Sequence, residues 1–203
     1  MKLFHSPASP YVRKVMVVLH ETGQQEDVTL VPATGTALEP GTMPVVQNPL
    51  GKLPTLERES GAALYDSRVI CRFLDDRAGG RLYPPAPSLW ETLTLEATAD
   101  GIMDAAILIV YEHRLRPPEG VNAAVIEAQW SKIARALDAL EGRWLSHLAG
   151  PLDIGHVALG CALGYLDFRL EERGWRRGRD GLAAWMERFA TRPSMAATAP
   201  PAA

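Results

Sequence analysis

The sequence predicts an α/β domain followed by an all-α helical domain. Up to about residue 76, short β-like runs alternate with helical patterns and frequent prolines. Then comes Ala78-Gly79-Gly80-Arg81-Leu82-Tyr83-Pro84-Pro85, whose Gly and Pro pairs cannot continue a helix. Beyond it only helical periodicity is found. The expected organisation is therefore residues 1–76 as the first domain, 77–86 as linker and 87–203 as the helical domain.

Lys2-Leu3-Phe4-His5 and Val28-Thr29-Leu30-Val31 read as strands. Between them Val12, Val15, Met16 and Leu19 recur at i, i+3, i+4 and i+7, with Pro10 suited to a first helical turn and Gly23 to a helix end. Strand, helix and strand in this order form a βαβ unit with a parallel pair. After the loop-rich stretch from Pro32 to Pro49, Thr55-Leu56-Glu57 and Ala63-Leu64-Tyr65 read as a hairpin turning at Ser60-Gly61. Asp66-Ser67 then starts a helix expected to bury Val69, Ile70, Phe73 and Leu74. In the second domain Leu95, Thr98, Ile102, Ala105 and Ile109 mark one long helix, and Ile126, Trp130, Ile133, Leu137, Leu140 and Trp144 mark another. Residues 154–166 carry almost no charge, which predicts a helix buried on all sides. The Ala- and Pro-rich tail from Ala196 is expected to fray.

Composition narrows the functional classes. The 203 residues are 47% hydrophobic and 22% charged, as in a globular domain rather than a disordered or fibrous chain. Lys and Arg total 21 against 24 Asp and Glu, so neither domain is a basic body fit for nucleic acid. No apolar run approaches the ~20 residues needed to span a bilayer, and Ser6-Pro7 interrupts the place of a secretory core. With only Cys71 and Cys161, outside any CxxC pair, the expected setting is cytoplasmic. There is no GxGxxG after the first strand, no GxxxxGK[ST] and no GxSxG. The histidines His5, His20, His113, His147 and His156 lack HxxxH or HExxH spacing, so no metal is expected.

Three local features could carry chemistry. Ser9, in the turn Ser6-Pro7-Ala8-Ser9-Pro10-Tyr11, stands where a helix N-terminus favours an anion or thiolate, or it simply caps the helix. Leu53-Pro54 is a candidate cis bond before a strand; cis would aim the Leu53 backbone outward for an extended peptide, while trans is an ordinary edge proline. Asp66-Ser67 could receive an ammonium and a carboxylate together, or cap its helix and complement the dipole.

Taken in order, strand–Ser-Pro-Tyr–helix, Asn-Pro-Leu-Gly-Lys-Leu-Pro-Thr-Leu, Leu-Tyr-Asp-Ser-Arg-Val-Ile and a helical domain resemble the glutathione S-transferase superfamily. The resemblance extends to Gly150-Pro151-Leu152-Asp153-Ile154, Gly164-Tyr165-Leu166-Asp167-Phe168-Arg169 and Arg192-Pro193-Ser194. It implies a thioredoxin-like N-terminal domain that binds glutathione and an all-α C-terminal domain, with the second substrate in an apolar pocket between them. Ser9 matches the serine that donates a hydrogen bond to the glutathione thiolate, with Ser6 as competitor for the role. Leu53 and a cis Pro54 match the pair on the cysteinyl backbone, Asp66 and Ser67 the pair on the γ-glutamyl end, and Lys52 a polar residue against the glycyl carboxylate. Asp100 and Asp104 match positions that reach glutathione across a homodimer, or are solvated carboxylates. Tyr11, Tyr111, Arg114 and Tyr165 would line the second-substrate pocket.

The implied activity is transfer of glutathione to a small hydrophobic electrophile, as in detoxification. Glutathione-dependent isomerisation, peroxide reduction or dehalogenation on the same fold, and a non-catalytic partner-binding scaffold, are the alternatives. Serine in place of cysteine favours glutathione itself as nucleophile over disulfide chemistry. One departure stands out: the family opens its central helix with Ser/Thr-x-x-Asp, whereas this chain has Asp153-Ile154-Gly155-His156. A histidine back-bonds less well than a carboxylate, and Gly155 adds about 1 kcal/mol of helix cost. A weak helix start is therefore expected, one that His156→Asp should strengthen. The arginine-rich stretch Arg169, Arg173, Arg176, Arg177, Arg179 is interleaved with Glu171, Glu172 and Asp180 and is expected to be solvated.

Overall fold

In the computed structural model, which describes residues 1–201, β1 (Lys2–His5) is the middle strand of a three-stranded sheet. Its Leu3 is wholly buried. The crossover helix α1 (Pro10–Glu21) leads to β2 (Thr29–Pro32), which pairs parallel to β1 with Leu3 opposite Leu30. On the other side β3 (Thr55–Glu57) runs antiparallel, with Phe4 opposite Thr55. The expected second hairpin strand at 63–65 contracts to a single bridge, in which Leu56 and Leu64 exchange backbone bonds of 3.0 and 2.8 Å. Arg58 closes that turn instead, donating to the Ala62 carbonyl at 2.8 Å.

Helix α1 is buried beyond one face. Val12, Val15, Val17, Val18 and Leu19 are all inside, whereas Met16 is only half-buried. The cause is that three elements pack on it: α2 (Ser67–Arg77), the short turn at Gln25–Asp27 and the last helix of the chain. Helix α2 buries Ser67, Ile70, Cys71 and Leu74, an i, i+3, i+4, i+7 face rotated from the one expected; Val69 is exposed. Buried Gln24 ties the two helices, donating to the Leu74 carbonyl at 2.8 Å and accepting from Arg77 at 2.5 Å.

After α2 the chain does not run loose. The buried Asp75 carboxylate accepts from the backbone N–H groups of Arg81, Leu82 and Tyr83 at 2.9, 2.8 and 3.3 Å, so the glycine- and proline-rich segment folds back on its own unit. One compact unit accordingly comprises Met1–Pro85 and resumes at Pro193; the other is Ala86–Arg192. Residues 202 and 203, the end of the tail expected to fray, lie outside the described residues.

The second unit holds α3 (Leu89–Leu115), α4 (Ala123–Arg143), α5 (Leu145–Leu148), α6 (Ile154–Arg169) and α7 (Asp180–Ala190). Every residue of α6 from Ile154 to Leu166 is buried, as its near-absence of charge predicts. At Gly155 α3 comes close: a Cβ there would meet Leu95 Cβ at 2.9 Å. Glycine at this position therefore allows the two helices to touch, and its propensity cost is offset by their packing.

The expectation of a weak α6 start is overturned. Asp153 caps the helix through the His156 N–H at 3.1 Å, and the His156 ring Nδ1 lies 2.7 Å from the same carboxylate oxygen. A carboxylate only accepts, so Nδ1 is the donor. The other oxygen accepts from the Thr92 hydroxyl at 2.6 Å and from His147 Nε2 at 2.8 Å. Burial raises the Asp153 pKa, but hydrogen bonds from His156 and Thr92 outweigh it and hold the carboxyl well below the usual range. The cap keeps its usual role, with a carboxylate now at the N-cap and a ring at the third helical position. A carboxylate at position 156 would face the Asp153 carboxylate and weaken the start.

The short α8 (Pro193–Ala197) packs on α1 in the first unit. Ser194 donates to Glu21 at 2.5 Å, Arg13 donates to the Met195 carbonyl at 3.1 Å, and Met195 is buried.

Candidate functional site

Strand register brings the three features of the first unit to one end of the sheet. With Phe4 opposite Thr55, the β1–α1 turn emerges beside Leu53-Pro54. With Leu56 opposite Leu64, Asp66 emerges on the other side of Pro54. Neighbouring strands lie about 4.8 Å apart, so Ser6–Ser9, Leu53-Pro54 and Asp66-Ser67 form a row.

Ser9 is the N-cap of α1. Its extended backbone (φ −84°, ψ 122°) lets Oγ accept from the Val12 N–H at 3.3 Å, and its own N–H reaches the Ser6 carbonyl at 3.1 Å. Among the described residues no acceptor takes the Ser9 hydroxyl proton. His5, one turn earlier, is held below its ordinary pKa by burial.

The Leu53-Pro54 bond is cis. Pro54 is buried, Leu53 half-buried and Lys52 exposed. No group among the described residues takes up the Leu53 backbone N–H or C=O, so both remain available to an extended partner. A residue that sequence reasoning passed over builds this loop. Buried Asn48 donates to the Lys52 carbonyl at 3.0 Å and to Thr55 Oγ1 at 3.1 Å, and its Oδ1 accepts from the Leu50 N–H at 3.1 Å. Asn before Pro and a following Gly51 at φ +58° are the local signals of such a turn.

Asp66 caps α2 through the Arg68 N–H at 3.0 Å and pairs with the Arg68 guanidinium at 2.8 Å, both side chains being more than half exposed. Burial raises its pKa, but the bonds from Arg68 and the charges of Arg68 and Lys14 pull it below the ordinary value, so it is ionised at neutral pH. The peptide bond before it, Tyr65–Asp66, is also cis. Ser67 beside it is buried. Lys14 is a second residue missed: it sits wholly buried in α1, and nothing in the apolar spacing marks it.

In the first unit Tyr11, two residues after Ser9, is half-buried. The other expected residues belong to the helical unit. Asp100 is buried on α3, whereas Asp104 one turn later is exposed. Tyr111 and Arg114 lie near the end of α3 and Tyr165 near the end of α6, and their charges reach one another; Arg169 of α6 joins them. The unit also brings His147, Asp153 and His156 within 4.8 Å, a grouping able to hold a cation, although sequence spacing gave no hint of it. All four bonds to Asp153 are accounted for by the α6 cap, Thr92 and the two rings.

Comparison with known proteins identifies the family. Residues 3–82 match the family described as glutathione S-transferase, N-terminal domain, and residues 123–188 match glutathione S-transferase, C-terminal domain. The uncharacterized GST-like protein YibF of Escherichia coli K12 is 34% identical over 208 aligned positions, covering all of both chains. A glutathione transferase family member from Pseudomonas fluorescens Pf-5, solved with bound glutathione, is 48% identical, with a TM-score of 0.96 and 98% of each chain covered. A second structure of a family member from that strain holds S-(propanoic acid)-glutathione, at 48% identity, a TM-score of 0.91 and coverage of 99% of this chain and 100% of that one. Among the described residues no helix is long and apolar enough to cross a membrane. With both domain families matched in order and a relative aligned from end to end, this chain belongs to the glutathione S-transferase superfamily.

Proposed function

We propose that this protein is a glutathione transferase whose Ser9 hydroxyl stabilises the glutathione thiolate for attack on a small electrophile. The observation that carries the proposal is the state of Ser9. Its oxygen already accepts from Val12, which fixes the rotamer, while its proton is left to donate to sulfur. A thiol near pKa 8.5 must lose one to two units to ionise at neutral pH, about 1.4–2.8 kcal/mol, which is the size of one charge-assisted hydrogen bond. The α1 N-terminus contributes in the same direction.

The remaining contacts are assigned by chemistry. The Leu53 N–H and C=O pair with the cysteinyl backbone, Asp66 and the Ser67 hydroxyl receive the γ-glutamyl ammonium and carboxylate, and Lys52 meets the glycyl carboxylate. The Pseudomonas relative solved with bound glutathione supports glutathione as the ligand. The helical unit takes the electrophile through Tyr111, Arg114 and Tyr165. In conjugation the sulfur–carbon bond forms as the leaving group departs with its electron pair, and the thiol proton has already passed to solvent. The reduced, buried Cys71 and Cys161 fit a cytoplasmic setting. The proposed assembly is a homodimer, in which exposed Asp104 rather than buried Asp100 is the carboxylate placed to reach a partner's glutathione.

Conjugation rates with Ser9→Ala and Ser6→Ala test the assignment. Ser9→Ala is expected to lower kcat/KM about 10- to 100-fold at neutral pH, and Ser6→Ala to change it less than about twofold. The opposite ranking would assign the thiolate to Ser6.

A further inference from the structure

The arginines of the helical unit differ in what they face. Arg116 reaches Glu112 at 2.5 Å, Arg173 reaches Glu127 at 2.8 Å and Arg179 reaches Asp138 at 2.6 Å; Arg176 pairs with Asp167. Arg114 and Arg169 reach no carboxylate among the described residues. The charge of Arg114, in the last turn of α3, acts instead on Arg169 and Tyr165 near the end of α6, and the two helices pack side by side. Tyr111 lies three residues before Arg114 and Tyr165 four before Arg169, so each phenol shares a helix face with its arginine.

Tyr165 is 7% exposed, and Arg169 is half-buried with its guanidinium 3.7 Å from the Phe168 ring centre. Burial lowers the Arg169 pKa first and the like charge of Arg114 lowers it further; only the Tyr165 hydroxyl acts the other way. Burial raises that of Tyr165, against the pull of both arginines. Two cations thus share this end of the helix pair with two phenols, and no carboxylate among the described residues pairs with either. The C-terminal ends of the two helices make this tolerable but do not neutralise it. An anion placed between them would relieve the repulsion and accept from two planar guanidinium groups and two hydroxyls, a donor set that matches a carboxylate.

We propose that Arg114 and Arg169, with the hydroxyls of Tyr111 and Tyr165, bind a carboxylate on the electrophile. The second substrate is then an organic acid bearing an electrophilic carbon, not the purely apolar molecule the family resemblance implies. Arg169 is the specificity residue that the sequence alone did not single out. The proposal rests on the transferase reading, in which the helical unit takes the second substrate.

The test is a set of calorimetric titrations of the full chain with glutathione, S-benzylglutathione and S-(4-carboxybenzyl)glutathione. The last two differ only in the carboxylate. Wild type should bind the carboxylated conjugate about tenfold or more tightly than the benzyl conjugate. That preference should collapse in Arg169→Gln and in Arg114→Gln, be largely restored in Arg169→Lys, and shrink as salt is raised. Equal affinity of wild type for the two conjugates overturns the proposal without recourse to any variant. So does a preference that survives in the Arg114→Gln, Arg169→Gln double variant. Failure of unmodified glutathione to bind at millimolar concentration overturns the transferase reading, and is seen separately from the conjugate comparison.

Discussion

Ser9 and Asn48 show how a small polar side chain can set backbone and chemistry together. Ser9 fixes the start of α1 with its oxygen, and among the described residues its proton meets no acceptor. Asn48 is buried and spends its amide on the Lys52 carbonyl and Thr55, which holds the loop that presents Leu53. Asn48→Ala removes both amide donors and the acceptor of the Leu50 N–H, leaving the Lys52 carbonyl only the Thr55 hydroxyl, and should cost about 2–3 kcal/mol. It should also weaken glutathione binding severalfold, measured by urea denaturation and by titration. A variant that loses stability but binds glutathione unchanged would separate the loop from the site. The Ser9 cap was legible because capping is local: a serine before a proline at the start of an apolar helical pattern. Lys14 was not, since its burial depends on what packs over α1, and no spacing rule encodes that.

At the scale of elements, helix periods and strand runs were readable and their surroundings were not. The sequence places a helix at Asp66-Ser67, but the buried face turned out to be Ser67, Ile70, Cys71 and Leu74, because tertiary packing selects the face. The start of α6 shows the same limit. Judged locally, Gly155 and His156 weaken it; with Leu95 against the glycine and Asp153 against the ring, both belong there. Gly155→Ala should therefore destabilise the protein by about 1–3 kcal/mol, the cost of overpacking, rather than stabilise it as helix propensity alone would have it. His156→Asp should lower the thermal midpoint. Asp153 supplies a pH dependence. Its folded pKa lies below the unfolded value of about 3.9, so its contribution is present above roughly pH 4 and is lost as pH falls further. Acid titration of thermal stability should show this loss, and Asp153→Asn should flatten the acid limb while lowering stability at neutral pH.

For the whole molecule, the order of motifs was the readable signal, and the closure of the units was not. No single motif separates capping from catalysis, but the order Ser-Pro-Tyr, Leu-Pro and Asp-Ser carries the family resemblance, and the register of Phe4 with Thr55 and of Leu56 with Leu64 brings the three to one sheet end. The linker reads as a break, yet Asp75 folds it onto the first unit. Pro193–Ala197 returns as a helix on α1, taking in only the first two residues, Ala196 and Ala197, of the tail read as frayed. A chain ended at Arg192 loses the Ser194–Glu21 and Arg13–Met195 bonds and uncovers the Met195 site. It should be less stable by about 2–4 kcal/mol in chemical denaturation, burial of one methionine alone being worth roughly 1.5–3 kcal/mol. Arg114 and Arg169, 55 positions apart in sequence, come within reach of each other's charge only once α3 and α6 pack.

The central claim is that Ser9 ionises the glutathione thiol, and titration of glutathione into wild type and Ser9→Ala between pH 6 and 8, in buffers of different ionisation enthalpy, tests it most directly. Binding to wild type should release close to one proton near neutral pH, and binding to Ser9→Ala should release far less. Equal proton release by the two proteins, or no binding of glutathione to wild type at millimolar concentration, would contradict it.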